Sequence, residues 1–115
     1  MKKSILFILF ALLTPVLLLA QQPPMGFTYQ AVVRDLDGKP LSNQPIGVKV
    51  TLQNENGATK HYSETTTATT TSLGVVTLVV GEGVPVTGSF SAIPWELGDI
   101  YINVAVDAAG GNNYV

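Results

Sequence analysis

Apolar and polar side chains alternate with a period of two along much of the sequence after residue 26. Such alternation is typical of strands that bury one face, because successive side chains point to opposite sides of a sheet. The pattern predicts strands over residues 27–34, 48–53, 75–80 and 99–106. In the second and the last of these, the apolar residues share one face: Val48, Val50 and Leu52, and then Ile100, Ile102, Val104 and Val106.

Turn residues separate these segments at the Asp35–Pro40 stretch, at Asn54–Gly57 and at Gly81-Glu82-Gly83. Residues 59–69 are rich in threonine, and we predict a strand there because branched side chains favour extended backbone. With a short strand or loop over residues 85–90, the pattern predicts six antiparallel strands in an all-β, two-sheet sandwich. A further strand begins at Tyr114–Val115, so we expect this chain to lack its last strand.

The first 20 residues follow a different pattern. Two lysines precede an apolar run over residues 5–19, and Ala20 then leads into a polar, proline-containing segment, which is typical of a secretory signal peptide. The run is also long enough for a membrane anchor, but Pro15 interrupts it and no basic cluster follows. We predict a signal peptide over 1–20 and one β-sandwich module over 21–115. We expect this module to have no membrane span and to be secreted or displayed on the outer cell surface.

Composition and charge narrow the range of partners. Without residues 1–20 the chain keeps four basic residues against eight acidic ones, which is the wrong sign for binding a nucleic-acid backbone. The chain has no cysteine, so its stability outside the cell depends on the β-core and not on disulfides. We predict no nucleic-acid partner and no cofactor.

Few residues suggest catalysis or metal binding. His61 and Ser63 share one face of a predicted strand, but positions two apart are separated by about 6.5–7 Å, too far for a nucleophile and its base. The stretch 35–38 resembles the start of a calcium loop, but Lys39 and Pro40 follow where further oxygen ligands are needed. We therefore predict no catalytic residues, no metal site and no enzymatic activity.

The stretch 26–35, which reads GFTYQAVVRD, carries a family resemblance together with Asp37–Leu41 and Asn43-Gln44. It resembles the N-terminal module of exported Bacteroidota surface proteins, in which GFxYQAVxRD follows a signal peptide. The shorter stretches 62–64, 73–74, 81–83, 88–90 and 93–95 occur in the order expected of that family. The resemblance implies a prealbumin-like or Ig-like sandwich, similar to collagen-adhesin B-type repeats, with a stalk, anchor or assembly role.

The likeness to adhesin repeats also raises an internal isopeptide bond between Lys49 and Asn103, with Glu64 as its catalyst. Strand alternation places both partners opposite the apolar positions, facing solvent, and we expect them on different sheets. This arrangement disfavours the bond.

Three residues are candidates for ligand or partner contact. Trp95, which is followed by Glu96, either stacks on a sugar or covers one end of the core. Val75 and Val79 face outward if the alternate residues of the same strand, Val76, Leu78 and Val80, face the core. We expect the threonine-rich strand over residues 59–69 to lie next to this strand. An apolar, uncharged outer face is either an interface or is covered by residues 81–98.

These features predict a non-enzymatic structural or adhesion module. Two alternatives remain open: a carbohydrate-binding module that uses Trp95, and a fimbria-like subunit whose open edge pairs with a donor strand from another chain. The expected partner is accordingly a protein or a polysaccharide.

Overall fold

The computed structural model describes residues 25–115, so the predicted signal peptide lies outside the described residues. The described chain forms six strands: β1 (Phe27–Val32), β2 (Pro45–Gln53), β3 (Lys60–Thr69), β4 (Val75–Val80), β5 (Val84–Thr87) and β6 (Tyr101–Asp107). β1 and β4 form one antiparallel sheet, and the other strands form a second in the order β5-β3-β2-β6. The predicted all-β sandwich is confirmed.

Helical structure between residues 25 and 115 consists of two 3₁₀ turns, Phe90–Ala92 and Trp95–Leu97. Neither is long enough to cross a membrane, and the described chain has no other helix.

The core lies between the two sheets, and the predicted inward faces of β2 and β4 are confirmed. Tyr62 of β3 and Ile93, between the two 3₁₀ turns, complete it. All of its members are at most 6 % exposed: Ile46, Val48, Val50, Leu52, Tyr62, Val76, Leu78, Val80 and Ile93. The turn between β2 and β3 also forms as predicted, and Gly57 takes the positive φ of 74° that such a turn requires.

The neighbour predicted for β4 is wrong. β4 pairs with β1, whereas the threonine-rich β3 lies in the other sheet between β2 and β5. The reason is the buried Thr70 directly after β3, whose hydroxyl donates a hydrogen bond to the Leu41 carbonyl and accepts one from the Gln44 N–H. These bonds tie the end of β3 to the β1–β2 connection, and the chain then crosses to the opposite sheet.

The expectation that Lys49 and Asn103 lie on different sheets is also wrong. β6 pairs with β2, so that Asn103 stands opposite Thr51, two residues from Lys49 on the same sheet face. Glu64 stands opposite Val50 on the core face, away from both. Glu64, the acid needed for an isopeptide bond, is therefore on the opposite side of the sheet from Lys49 and Asn103. The arrangement still disfavours the bond, but because of the position of Glu64 and not because the two partners lie on different sheets.

Candidate binding surfaces

The core is closed on one side and open on the other. In the cross-strand pair of β2 and β6, Leu52 is 2 % exposed and Ile102 is 38 % exposed. The same contrast holds along β6 and in the smaller sheet, where the inward residues of β1 are only half-buried and those of β4 are buried. We call the half-covered inward residues of β1 and β6, together with Val33 just after β1, the open flank: Tyr29, Ala31, Val33, Ile102, Val104 and Val106.

A cleft marks one end of the open flank. It has a volume of about 640 Å³ and brings Val33, just after β1, together with Val106 of β6 and with Leu41. β1 and β6 therefore border the same side of the sandwich. Val104 and Val106 pack against the core but are only half-buried, so β6 is incompletely covered here.

The backbone of β6 is also open at this edge. Val106 exchanges two hydrogen bonds with Val115, at N···O distances of 3.1 and 3.3 Å, so its N–H and C=O point away from β2. Because these groups alternate in direction along an antiparallel strand, those of Ile102 and Val104 point the same way. Within residues 25–115, no backbone partner faces them. Val115, after the loop that follows β6, thus occupies this edge of β6 at Val106.

The two edges of the larger sheet differ in how they are protected. β5 has four residues, includes Pro85 and pairs with β3 through a register shift, all of which discourage a further strand from pairing. β6 has seven residues and carries neither proline nor charge before Asp107. By these criteria β6 is an edge that readily accepts another strand.

Trp95 lies at one end of the sandwich in a cluster of aromatic rings. Its ring centroid is 6.3 Å from that of Phe27 and 5.9 Å from that of Phe90, which in turn contacts the buried Tyr62. Trp95 is nevertheless 49 % exposed. The residue thus extends the core at this end and leaves about half of its surface in solvent.

We expect Trp95→Ala to lower the free energy of unfolding by about 2 kcal/mol, roughly half of the 3–5 kcal/mol typical of a buried tryptophan, because half of the side chain is already exposed. Chemical denaturation measures the change. Leu97→Ala is the matched control, since Leu97 is 77 % exposed nearby and its loss should cost under about 0.5 kcal/mol. Equal effects of the two variants would contradict a structural role for Trp95.

Val75 and Val79 lie on the outer face of the two-stranded sheet. Val79 is 42 % exposed opposite Thr28, and the half-buried Val75 stands opposite Val32 at the other end of β4. The central pair is polar, with the Gln30 Nε2 donating to Thr77 Oγ1 at 3.0 Å. Trp95 packs on Phe27, whose side chain faces the core, whereas Val79 and Val75 face outward and lie near opposite ends of β4, so the three predicted residues do not form one site.

Glu64 is a buried carboxylate whose structural role the sequence reasoning missed. The side chain is 2 % exposed. Its Oε1 accepts hydrogen bonds from the Tyr62 hydroxyl at 2.8 Å and from the Gly81 N–H at 2.6 Å. Its Oε2 accepts a third from the Gly83 N–H at 3.0 Å. Burial, together with this bond to Glu64, raises the pKa of Tyr62 to about 12. Glu64 therefore fixes the turn between β4 and β5 to the core.

Asp107 has a similar role at the end of β6. Its carboxylate accepts hydrogen bonds from the backbone N–H groups of Ala109 and Asn113, at 2.9 and 3.0 Å, and these bonds lower its pKa. They hold the loop after β6 against the outer face of the larger sheet. There the Gly111 carbonyl and the Tyr114 ring lie over Gly47, where a side chain would not fit.

Residues 28–114 match a protein family described as "Domain of unknown function (DUF8740)". The chain belongs to this family. Comparison with curated proteins and with solved structures found no match. The match begins one residue into β1 and ends one residue before Val115, so the DUF8740 domain comprises both sheets, the open flank and the two buried carboxylates.

Among residues 25–115, no three His, Asp or Glu side chains are grouped so that they could hold a metal ion. The surfaces that the DUF8740 sandwich offers are the open flank, the outer face around Val79, and a polar groove on the other sheet.

Proposed function

We propose that this chain is a non-enzymatic structural or adhesion module of an exported protein and that it assembles through its open flank. The observation that supports this most is the contrast between Ile102 and its buried cross-strand neighbour Leu52. An apolar core face left half-covered beside an unpaired strand edge is suited to strand addition. The signal-peptide pattern of residues 1–20 and the resemblance to exported Bacteroidota modules support a location outside the cell.

The partner we propose for the flank is a second copy of this chain. Residues 101–105 carry no charge, so two β6 strands can pair antiparallel about a two-fold axis without bringing like charges together. In that arrangement Ile102 of one protomer stands opposite Val104 of its partner, and their outward N–H and C=O groups bond to each other. The two larger sheets become one continuous sheet, and the flank of each protomer gains an apolar neighbour.

Ile102→Lys tests the assembly, because it places a charge on the flank without removing a buried side chain. We expect the unmodified protein to sediment as a dimer at about 100 μM and this variant to sediment as a monomer, since an unpaired charge would be forced against Val104 of the partner. Sedimentation velocity over a concentration series measures this. Circular dichroism confirms that the variant is folded.

Tyr101→Lys is the matched control. It adds the same charge to the neighbouring residue of β6, but on the outer sheet face, so dimerisation should persist. A monomeric unmodified protein at all concentrations would contradict the proposal, and so would a dimer that Ile102→Lys leaves intact.

A further inference from the structure

The outer face of the larger sheet carries a groove of about 730 Å³, which lies on the opposite side of that sheet from the core. We call it the outer groove and define it by six of its lining residues: Lys49, Thr51, Gln53, Lys60, Asn103 and Tyr114.

Strand register builds the floor of the outer groove. Lys49, Thr51 and Gln53 are alternate residues of β2 and therefore share the outer face. Asn103 stands opposite Thr51, and Lys60 stands opposite Gln53 at the end nearest the β2–β3 turn. The floor thus presents amide and ammonium groups over about 13 Å of strand, and Thr51 between them is only 6 % exposed.

The loop after β6 forms the other end of the outer groove. The Asp107 carboxylate holds this loop through backbone N–H groups, and the Tyr114 ring lies close to Gly47, the next outward position of β2 after Lys49. An aromatic ring is therefore held beside a cation and a row of hydrogen-bonding side chains.

The charge of the outer groove is opposite to that of the rest of the domain. Residues 25–115 contain four basic and eight acidic side chains, and two of the four basic ones, Lys49 and Lys60, line the groove. None of the described residues that line it is Asp or Glu. The groove is a local positive site on a protein of negative net charge, and this favours an anionic ligand.

We propose that the outer groove binds an acidic oligosaccharide whose sugars carry carboxylate groups. The two lysines pair with carboxylates about 14 Å apart along the floor. Gln53 and Asn103 each offer both a donor and an acceptor to sugar hydroxyls, and Tyr114 offers a ring surface against which a sugar can lie. An acidic peptide fits less well, because peptide recognition relies on apolar pockets and the groove offers only Ala105 beside the tyrosine.

The test uses tetragalacturonate as the probe, titrated into the ¹⁵N-labelled protein and followed by NMR. We expect shifts at the amides of the outer groove, with binding at least about tenfold tighter than that of the neutral sugar maltotetraose. Lys49→Gln and Lys60→Gln should each weaken binding about fivefold, because each removes one charge-assisted contact. Lys39→Gln is the matched control: it makes the same charge change in the β1–β2 connection, outside the groove, and should leave binding unchanged.

Three results would overturn the proposal. The first is the absence of shifts at about 10 mM probe. The second is a loss of affinity in Lys39→Gln equal to that in Lys49→Gln, which would indicate an effect of net charge alone. The third is equally tight binding of tetraglutamate, which would indicate an acidic peptide site.

Discussion

Replacing Glu64 with alanine will destabilise this domain by about 3–5 kcal/mol, one of the two largest effects we expect from a single change. The variant leaves the Tyr62 hydroxyl and the N–H groups of Gly81 and Gly83 without an acceptor. Each buried donor without a partner costs about 1–3 kcal/mol, and the carboxylate is 2 % exposed, so water replaces it poorly. Urea denaturation of the purified protein measures the loss.

Glu82→Ala is the matched control for Glu64→Ala. Glu82 lies between the same two glycines but is exposed, so its loss should change stability by less than about 0.5 kcal/mol. Tyr62→Phe removes one of the three donors and should cost about 1–2 kcal/mol. A loss below about 1 kcal/mol in Glu64→Ala would contradict the role assigned to this carboxylate.

The pH dependence of stability checks the same network. The pKa of Tyr62 is raised from 10.0 to about 12, so the folded state favours the protonated phenol. The stability that this contributes is present below pH 10 and is lost as the pH rises from about 10 to 12, because the unfolded chain then releases the proton more readily. Tyr62→Phe should lack this component of alkaline unfolding.

The second large effect is a contrast between two residues that face each other. Leu52→Ala should lower the free energy of unfolding by about 3 kcal/mol, because this side chain is 2 % exposed and its removal leaves a cavity. Ile102→Ala should cost about 1–2 kcal/mol when measured below the concentration of association, because its side chain is 38 % exposed and its removal loses less buried surface. Denaturation of the two variants under identical conditions measures the difference.

The comparison between Leu52→Ala and Ile102→Ala is internally matched, because both residues are aliphatic, point inward and occupy one cross-strand pair. Equal losses would mean that β6 is covered as fully as β2 and that the flank is closed. A larger loss for Ile102→Ala at high concentration than at low concentration would add support for pairing between copies.

Local features of this fold could be predicted from the sequence, whereas strand neighbours could not. Alternation identifies the inward faces of β2 and β4 because side-chain direction depends only on position along a strand. Which strand lies beside β4 depends on where the chain crosses between sheets, and the bonds of Thr70 that direct the crossing join residues distant in sequence. For the same reason, the sequence did not predict that β6 pairs with β2 and brings Asn103 close to Lys49.

The candidate surfaces were only partly predictable for a similar reason. Ile102 and Leu52 occupy equivalent positions in their patterns, yet Ile102 is exposed on the edge strand β6 and Leu52 is buried on β2, which has a neighbour on each side. Trp95 was identified, but its half-exposed place beside Phe27 depends on packing between distant segments. Glu64 could have been found, because it is two residues from Tyr62 in the predicted strand 59–69 and so shares a face with that aromatic residue, where a buried carboxylate requires donors.

Amide hydrogen exchange at Val104 tests the proposed association through the open flank most directly. Its N–H points away from β2, and no backbone partner for it lies within residues 25–115, whereas the N–H of Asn103 bonds to β2 in the monomer and in the dimer. We predict that the Val104 amide exchanges at least about tenfold more slowly at 500 μM than at 5 μM protein, because the fraction of protein in dimers rises with concentration. The Asn103 amide should stay protected at both concentrations. Rapid exchange of Val104 at both concentrations would contradict pairing of β6 between copies.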